Sequence, residues 1–374
     1  MSCTNVNGAK EVICKPLLTN GVITIMNLDF YSGKNVFVTG HTGFKGAWLS
    51  KILLTAGANV TGFALDPPTD PALFSLLNLS NDMESIIGDV RDYDHMLAAM
   101  KAAKPEIVLH LAAQPIVRTS YEEPRYTFET NVMGTVNMLE SVRMTDTVRS
   151  VVNVTTDKVY LNVEREEGYT EDEPLDGYDP YSNSKSCSDL VTHSYVNSFF
   201  NEPGGPAVST ARAGNVIGGG DFARDRILPD CVRAMEKGEP IIIRNPRSVR
   251  PFQHVLEPLS AYLLLAERQH EDKSLAGAYN VGPNTGDTAS AGEIADCFVK
   301  AWGGDARWIT RGDGGPHEAG LLALNSDKIQ RNLGWRPRWN IMEAVEKTVE
   351  WSKIYVAGGD VLSITEAEIK EYFD

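Results

Sequence analysis

The chain has few basic residues for its size and has no long apolar run. Its 374 residues include 35 Lys and Arg against 50 Asp and Glu, which gives a net charge of −15. An acidic surface repels phosphate backbones and anionic lipids, so we expect neither nucleic-acid nor membrane partners. No stretch of 18 apolar residues is present, which argues against a membrane-spanning helix. Any anionic substrate must therefore meet a local cluster of arginines.

Cysteine is also scarce, and its five positions follow no pattern. Cys3, Cys14, Cys187, Cys231 and Cys297 are odd in number and widely separated. Their spacings match neither a metal site nor a redox motif, so we expect no metal. Free thiols of this kind are typical of a reducing cytoplasm, where we expect the protein to reside.

The first 25 residues lack the features of a secretory signal. They are polar and irregular, with Lys10 and Lys15 as their basic residues and a short apolar patch at 22–25. A signal peptide has a longer apolar core behind a basic start. We therefore predict an N-terminal extension over residues 1–25, either a mobile tail or the product of a start codon set too early.

What the chain does have is a glycine-rich turn between a strand pattern and a helix pattern. The glycines Gly40, Gly43 and Gly46 are three apart, with a β-branched run before them and a helical apolar period after them. Glycine permits positive φ and close backbone approach, while a helix N-terminus offers free N–H groups to a pyrophosphate. This stretch therefore predicts a dinucleotide site at the head of a βαβ unit.

Short apolar runs alternate with helical patterns up to about Ala211. This alternation predicts an α/β fold, with a Rossmann-type doubly wound parallel sheet over residues 26–211. Beyond Gly214 the pattern loosens, which predicts a smaller, mixed substrate lobe over residues 212–374, with some segments returning to the first domain. The predicted strands are 35–39, 59–64, 85–87, 107–111, 150–155 and 207–211, with 241–243 and 279–281 in the second lobe. The predicted helices are 44–55, 93–103, 126–144, 181–200, 227–236, 259–268, 291–302 and 341–355.

Tyr181 and Lys185 form a second motif downstream of the glycine turn. They are four residues apart in a predicted helix, so both side chains share one face. An ammonium near a phenol lowers its pKa from about 10 toward neutrality, as a base for a hydroxyl proton requires. A Tyr and a Lys at this spacing are common by chance, but the glycine turn upstream makes catalysis the favoured interpretation.

The two motifs together resemble those of the extended short-chain dehydrogenase/reductase family. Residues 111–114, Leu-Ala-Ala-Gln, after the fourth predicted strand and Asn131 in the next helix add to the resemblance. Thr156, Asp157 and Lys158 at the end of the fifth strand resemble the nucleotide-sugar 4,6-dehydratases within that family. Six segments between Thr39 and Pro258 resemble the branch of that group that acts on CDP-glucose.

This resemblance implies an NAD-dependent lyase that oxidises a sugar at carbon 4, eliminates water across carbons 5 and 6 and returns the hydride to carbon 6. Tyr181 would be the base for oxidation, Asp157 the acid for the departing hydroxyl and Thr156 a donor to the 4-oxygen. Lys158 stands where dTDP-glucose enzymes carry a glutamate base. Its pKa must be depressed for it to act as a base, or else it stabilises the enolate.

The resemblance also implies a set of cofactor residues. Asp89 matches an adenine-reading position, whereas Ala64 stands where an acidic residue for the ribose is expected and Asp66 lies two residues further on. NAD is therefore expected, with NADP left open. The implied cofactor residues are Gly40, Thr42, Gly43, Phe44, Lys45, Gly46, Asp66, Asp89, Val90, Leu111, Ala112, Ala113, Asn131, Thr155, Tyr181 and Lys185.

A further set of residues is implied for the substrate. Arg226 and Arg250 match positions that meet the pyrophosphate, where guanidinium groups suit oxyanions. The implied substrate residues are Gln114, Ser120, Asn215, Arg226, Ile242, Arg250 and His317.

Two alternatives stay open. Thr156 and Val159 replace the Ser and Cys expected in the CDP-glucose branch, so a dehydratase or epimerase for another nucleotide sugar is conceivable, although Asp157 and Lys158 argue against an epimerase. A non-catalytic NAD-sensing protein is the other alternative, although Tyr181 and Lys185 are both present. The resemblance also implies a homodimer, in which helices 126–144 and 181–200 pair across a four-helix bundle.

Overall fold

A seven-stranded parallel sheet forms the centre of the molecule. The computed structural model describes residues 28–312 and 322–374, and no helix within those ranges is long and apolar enough to cross a membrane. The strand order is β11-β6-β5-β4-β1-β2-β3, and all of the pairings are parallel. In chain order, the strands are β1 (Asn35–Thr39), β2 (Asn59–Ala64), β3 (Glu84–Ile87), β4 (Ile107–His110), β5 (Ser150–Val154), β6 (Ala207–Ala213), β7 (Val216–Ile217), β8 (Ile241–Ile243), β9 (Val249–Arg250), β10 (Gln253–His254), β11 (Ala278–Val281), β12 (Ala289–Ser290) and β13 (Trp308–Thr310).

Helices cover both faces of this sheet and complete a smaller lobe beside it. The α-helices are α1 (Phe44–Thr55), α2 (Leu73–Leu76), α3 (Tyr93–Ala103), α4 (Val117–Glu122), α5 (Pro124–Phe128), α6 (Gly134–Arg143), α7 (Pro180–Tyr195), α8 (Ile227–Lys237), α9 (Leu256–Glu271), α10 (Ala291–Trp302), α11 (Asp327–Leu333), α12 (Ile341–Val356) and α13 (Val361–Phe373). Residues 129–133 and 196–200 continue α5 and α7 as π-helical turns.

Alternate residues of β1 enter the two cores that flank the sheet. Val36 and Val38 pack in the core beneath α1, α9 and α13, whereas Phe37 packs in the core beneath α3 and α6. Successive side chains of a strand point to opposite faces, so a strand buried on both faces is apolar throughout. This explains why residues 36–38 in the middle of β1 are all apolar.

The predicted fold class is confirmed, with one change in the second lobe. The strand predicted at 279–281 was assigned to that lobe, but β11 pairs with β6 at the edge of the main sheet. Helix α9 makes this connection, and Tyr262 and Leu263 on it are fully buried in the main core. The second lobe keeps its own core, which includes Ile243 and Phe298.

Helix limits differ from expectation most at α9, where the predicted helix 259–268 extends by three further residues at each end. The predicted helix 126–144 begins two residues earlier, at Pro124, where the missing N–H of proline costs nothing. The limits of α1, α3 and α10 agree with the predictions.

Candidate active site

A cleft of about 1350 Å³ opens at the carboxyl ends of β1, β4, β5 and β6. Parallel α/β sheets bind their ligands at this edge. Among the described residues, most of the predicted site residues line this cleft; the exceptions are Ser120, Asn131, Asp157 and Ile242. His317 lies outside the described residues. The cleft is larger than most single-ligand pockets and suits two large ligands.

The glycine turn leaves no space for side chains at two of its three glycines. Gly40 has φ +77°, and a Cβ there would lie 2.8 Å from the backbone N of Ala112. A Cβ at Gly46 would lie 2.0 Å from the carbonyl oxygen of Gly40, so α1 crosses the turn in direct backbone contact. Gly43 caps α1 without a side-chain hydrogen bond. The first N–H groups of the helix therefore fit a pyrophosphate, as a dinucleotide requires.

The ribose and adenine end of the cleft contains two predicted carboxylates in different settings. Asp66 is exposed at the rim, two residues beyond the end of β2. Asp89 accepts hydrogen bonds from the Arg91 guanidinium, at 2.6 Å from Nη2, and these hold its pKa below the ordinary value. Arg91 in turn lies 4.8 Å from the ring centre of Tyr126. The sequence reasoning missed Arg91, whose position two residues after Asp89 was the available signal.

Tyr181 and Lys185 are both buried on the inner face of α7. The Lys185 ammonium donates to the carbonyl oxygen of Val154 at 3.0 Å. Burial raises the pKa of Tyr181 to about 12, opposed by a hydrogen bond with Thr156 and by the charge of Arg226. The expectation that Lys185 lowers this pKa toward neutrality is therefore wrong for this structure, because burial dominates and Arg226 is the cation that opposes it.

The Thr156–Asp157–Lys158 trio forms a compact hydrogen-bonded group after β5. Asp157 is fully buried, and its Oδ1 accepts from Thr156 Oγ1 at 2.9 Å and from Lys158 Nζ at 3.2 Å. Lys158 Nζ also donates to Asn215 Oδ1 at 3.2 Å. Asp157 Oδ2 is buried and has no hydrogen-bond partner among the described residues. A buried carboxylate oxygen of this kind calls for a donor from a ligand or water.

The substrate side of the cleft is lined by charged side chains from several loops. Arg226 Nη1 donates to Asp221 Oδ2 at 2.8 Å, and Arg250 is buried at the edge of the same space. Gln114 also lines the cleft, with its Nε2 bound to Thr127 Oγ1 at 2.9 Å. The two cations provide the positive charge that the acidic chain needs near an anionic ligand.

Three predicted contact residues have other roles in the structure. Asn131 holds the backbone of Gln114 through hydrogen bonds to its N–H and carbonyl groups, at 2.8 and 3.1 Å. Ser120 is buried and donates to the carbonyl of Val117 at 2.7 Å. Ile242 is half exposed on β8, away from the cleft wall. Spacing alone could not separate these positions from true cleft residues.

Lys45 lines the cleft and contacts the buried Tyr262 beneath it. The Lys45 ammonium lies 5.8 Å from the ring centre of Tyr262, within the range of a cation–π contact. Burial and the nearby charge of Arg226 lower the pKa of Lys45 to about 7. The Tyr262 hydroxyl is buried without a hydrogen-bond partner among the described residues, and burial raises its pKa, with smaller contributions from Tyr181 and Asp157. No motif in the sequence marked Tyr262.

Comparison of the sequence with known proteins assigns the chain to one family. The family model for GDP-mannose 4,6 dehydratase matches residues 37–348. A protein of Salmonella typhimurium named CDP-glucose 4,6-dehydratase is 49% identical over 353 residues, which cover 93% of this chain and 98% of that protein. The chain belongs to the nucleotide-sugar 4,6-dehydratase family. The CDP-paratose 2-epimerase of Salmonella typhi is more distant, at 26% identity over 85% of this chain and 98% of that protein.

Solved structures of related enzymes share the fold. The dTDP-glucose 4,6-dehydratase of Bacillus anthracis, solved with NAD, superposes with a TM-score of 0.72 at 22% identity, covering 88% of this chain and all of that one. The UDP-glucose 4-epimerase of Thermus thermophilus, also solved with NAD, gives 0.74 at 26% identity, covering 85% and 98% of the two chains. Dehydratases of this family and epimerases therefore share one scaffold, and the site residues must separate their functions.

Proposed function

We propose that the chain converts CDP-glucose to CDP-4-keto-6-deoxyglucose and water, with NAD as its cofactor. The name of the 49% identical relative supports this substrate, because the similarity extends over almost the whole of both chains. The observation that carries the proposed reaction is the buried, unpartnered Oδ2 of Asp157, whose charge acts on Tyr181. Tyr181 and Lys158 line the cleft and Asp157 is buried behind Lys158, so a base and an acid stand together, as an elimination that follows an oxidation requires.

Oxidation of carbon 4 comes first, because it makes the hydrogen on carbon 5 acidic. The Tyr181 hydroxyl, as phenolate, takes the proton of the 4-hydroxyl, and Thr156 donates a hydrogen bond to the same oxygen. NAD supplies the hydride acceptor for carbon 4 and the hydride donor for carbon 6. Arg226 opposes the rise of the Tyr181 pKa and so favours the phenolate, and Lys185 adds an ammonium one turn along the same helix.

Elimination then needs an acid at the 6-oxygen and a base at carbon 5. Asp157 Oδ2 donates its proton to the departing hydroxyl, which leaves as water as the carbon–oxygen bond breaks. Lys158, held by Asp157 and Asn215, takes the carbon 5 proton. The electron pair released from carbon 5 forms the double bond to carbon 6. Hydride added at carbon 6 and the proton that Lys158 returns to carbon 5 would then saturate that double bond.

Arg226 and Arg250 hold the substrate pyrophosphate in this proposal. Both Arg226 and Arg250 line the cleft. Guanidinium groups suit the oxygens of a pyrophosphate because they offer several donors in a fixed plane.

The deciding test is direct conversion of candidate substrates. Purified protein with NAD is incubated separately with CDP-glucose, dTDP-glucose, UDP-glucose and GDP-mannose, and the product is read as 4-keto absorbance in alkali and as the mass loss of one water. Conversion of CDP-glucose alone is the expected result. Preferred conversion of another nucleotide sugar would support the proposed dehydration but overturn the assignment of CDP-glucose as the substrate. NAD binding without any conversion would favour an NAD-sensing protein.

We also propose a cytoplasmic homodimer that pairs through α5 to α7. Met133, Leu190 and Phe199 on these helices are each about half exposed, and a second copy would bury them in a four-helix bundle. Val191 and Tyr195 on α7 are partly buried against the core of the same chain. Light scattering that gives the mass of a single chain at micromolar concentration would overturn the dimer.

A further inference from the structure

Helix α7 carries a third titratable residue on its catalytic face. Tyr181, Lys185 and Asp189 are spaced by four residues, so their side chains follow one another along one side of the helix. Asp189 and its partner Arg212 on β6 are 4% and 3% exposed. No step proposed above uses this buried pair.

The Asp189 carboxylate joins three elements at the base of the site. Arg212 donates to both of its oxygens, from Nη2 to Oδ1 at 2.8 Å and from Nε to Oδ2 at 2.9 Å. Thr210 on β6 and Thr155 at the end of β5 add hydrogen bonds of 3.0 and 3.1 Å. Because Thr155 directly precedes Thr156 and Asp157, the same carboxylate holds the helix of Tyr181 against the strand end that supplies the proposed acid.

The other side of the Arg212 guanidinium reaches the entrance loop, which we define as residues 160–178. Its Nη1 donates to the Tyr160 hydroxyl at 2.8 Å and to the carbonyl of Glu171 at 3.0 Å. Tyr160 in turn donates to Asn280 Oδ1 on β11 at 2.6 Å. Both Tyr160 and Asn162 of this loop line the cleft, so the loop borders the space for the substrate.

We propose that Asp189 and Arg212 are positioning residues that fix α7, the end of β5 and the entrance loop relative to one another. Asp189 holds the catalytic side, and Arg212 transmits that position to the loop beside the substrate. The catalytic part of this inference rests on the proposed dehydration, whereas the structural part, the anchoring of the loop, does not.

The charge of Asp189 also acts on Lys185. Burial lowers the pKa of Lys185 to about 8, and the Asp189 carboxylate opposes that fall. The other titratable groups that face Lys185 are Lys45 from α1 and His110 from β4, and burial keeps His110 neutral by lowering its pKa to about 3. Loss of the Asp189 charge should therefore make Lys185 lose its proton at lower pH.

A matched pair of tyrosine variants tests the loop. Tyr160→Phe removes the hydroxyl that connects Arg212 to Asn280, whereas Tyr372→Phe removes an equally buried hydroxyl that donates to Glu257 Oε2 at 2.6 Å, far from the cleft. We expect Tyr160→Phe to speed hydrogen exchange of residues 160–178 about fivefold, the effect of losing one net hydrogen bond, and Tyr372→Phe to leave it unchanged. Equal exchange of that loop in both variants would overturn the anchoring.

Two charge variants test the catalytic consequence. Asp189→Asn keeps the shape and removes the charge, so the alkaline limb of the kcat/KM profile should move about one unit to lower pH. Arg212→Lys keeps the charge and loses the planar fork, so KM for the nucleotide sugar should rise more than kcat falls, with the alkaline limb in place. A uniform loss at every pH in both variants, in step with the loss of thermal stability, would reduce the pair to a structural role and overturn the proposal.

Failure of the proposed function is distinguishable from failure of this inference. If wild-type protein converts no nucleotide sugar, the proposed dehydration is refuted. Hydrogen exchange of residues 160–178 still decides whether the loop is anchored. If wild-type protein is active and Asp189→Asn leaves the pH profile unchanged, the proposed effect of Asp189 on Lys185 is refuted, whereas the proposed dehydration is still supported.

Discussion

The two sides of the cleft are built to recognise ligands by different means. The cofactor side is mainly backbone, where Gly40 and Gly46 bring strand and helix into contact and Gly43 adds no side-chain cap to the helix N-terminus. The substrate side is mainly charge, carried by Arg226 before α8 and by Arg250 on β9. Substitutions on the cofactor side should therefore act by steric clash. Those on the substrate side should act through electrostatic interactions that salt can screen.

The largest effect is expected where the two sides meet, at Tyr181. Tyr181→Phe removes the proposed base, so kcat should fall about a thousandfold or more while NAD affinity changes less than about twofold. Turnover and NAD titration of the same preparation check this. Tyr121→Phe, at a partly exposed tyrosine on α4, is the control and should retain activity. Turnover retained by Tyr181→Phe would remove the assigned role.

Gly46→Ala tests the cofactor side. The added Cβ would lie 2.0 Å from the carbonyl oxygen of Gly40, and backbone cannot move aside as a flexible side chain can. We expect NAD affinity to fall about a hundredfold or more, with a lower unfolding temperature. Gly312→Ala, where a Cβ meets nothing within 4 Å, should change neither quantity. Normal NAD binding by Gly46→Ala would contradict the backbone description of this side.

Arg226→Met tests the substrate side. Loss of its charge should raise KM for the nucleotide sugar about tenfold or more, and this ratio to wild type should shrink as salt is added. Because Arg226 opposes the rise of the Tyr181 pKa, the acidic limb of the kcat profile should also move to higher pH. Arg307→Met, whose guanidinium contacts the carbonyl of Asp305, serves as the control. A salt-independent ratio would argue against a charge-based side.

Lys45 lies in the glycine turn of the cofactor side and close to the charge of Arg226 on the substrate side. Its replacement should change the stability of the folded protein. Its pKa is lowered to about 7, so below that pH the fold must bury an ammonium that the unfolded chain leaves in water. That cost fades as pH rises above 7. Lys45→Met should therefore exceed wild type in stability most at about pH 6 and progressively less toward about pH 9. Thermal unfolding without NAD measures this, with Lys101→Met as an exposed control whose difference from wild type should not follow that trend.

The smallest effect is expected at Ile242. It was predicted to contact the substrate, but it is half exposed on β8 and does not line the cleft. Ile242→Thr should change KM by less than about twofold, as most surface substitutions do. A larger change in the steady-state assay would restore the sequence-based prediction.

Local patterns were enough to predict much of the Rossmann half. The limits of α1 and α3 follow from signals within a few residues, such as the Asp92 side chain that accepts from the His95 N–H at the start of α3. The placement of β11 depends on its pairing with β6, about seventy residues earlier, and no local signal encodes that pairing.

Helix α13 was not predicted from the sequence, for the same reason. It carries the buried Glu368, and distant contacts hold it, such as the Tyr372 hydroxyl to Glu257 and the Trp351 indole to Thr365.

The residues of the candidate site also fall into two groups, those that the sequence indicated and those that only the fold brings together. Spacing was sufficient to indicate Tyr181, Lys185 and the glycine turn, because each motif lies within one turn of chain. It could not reveal Tyr262 or the pairing of Asp189 with Arg212, which depend on helices and strands meeting in space. The pKa of Tyr181 also depends on burial, a property of the whole fold, and that is why its predicted direction was wrong.

The return of the chain to the main sheet through α9 and β11 has a consequence for engineering. After β6 the chain leaves to build part of the substrate side, comes back to complete the sheet edge, and then leaves again. A chimera joined after Ala213 would exchange that edge strand and its covering helix together with the substrate loops. We therefore expect specificity in this scaffold to be transferable by grafting separate loops onto an intact sheet, and single-junction fusions between relatives to misfold.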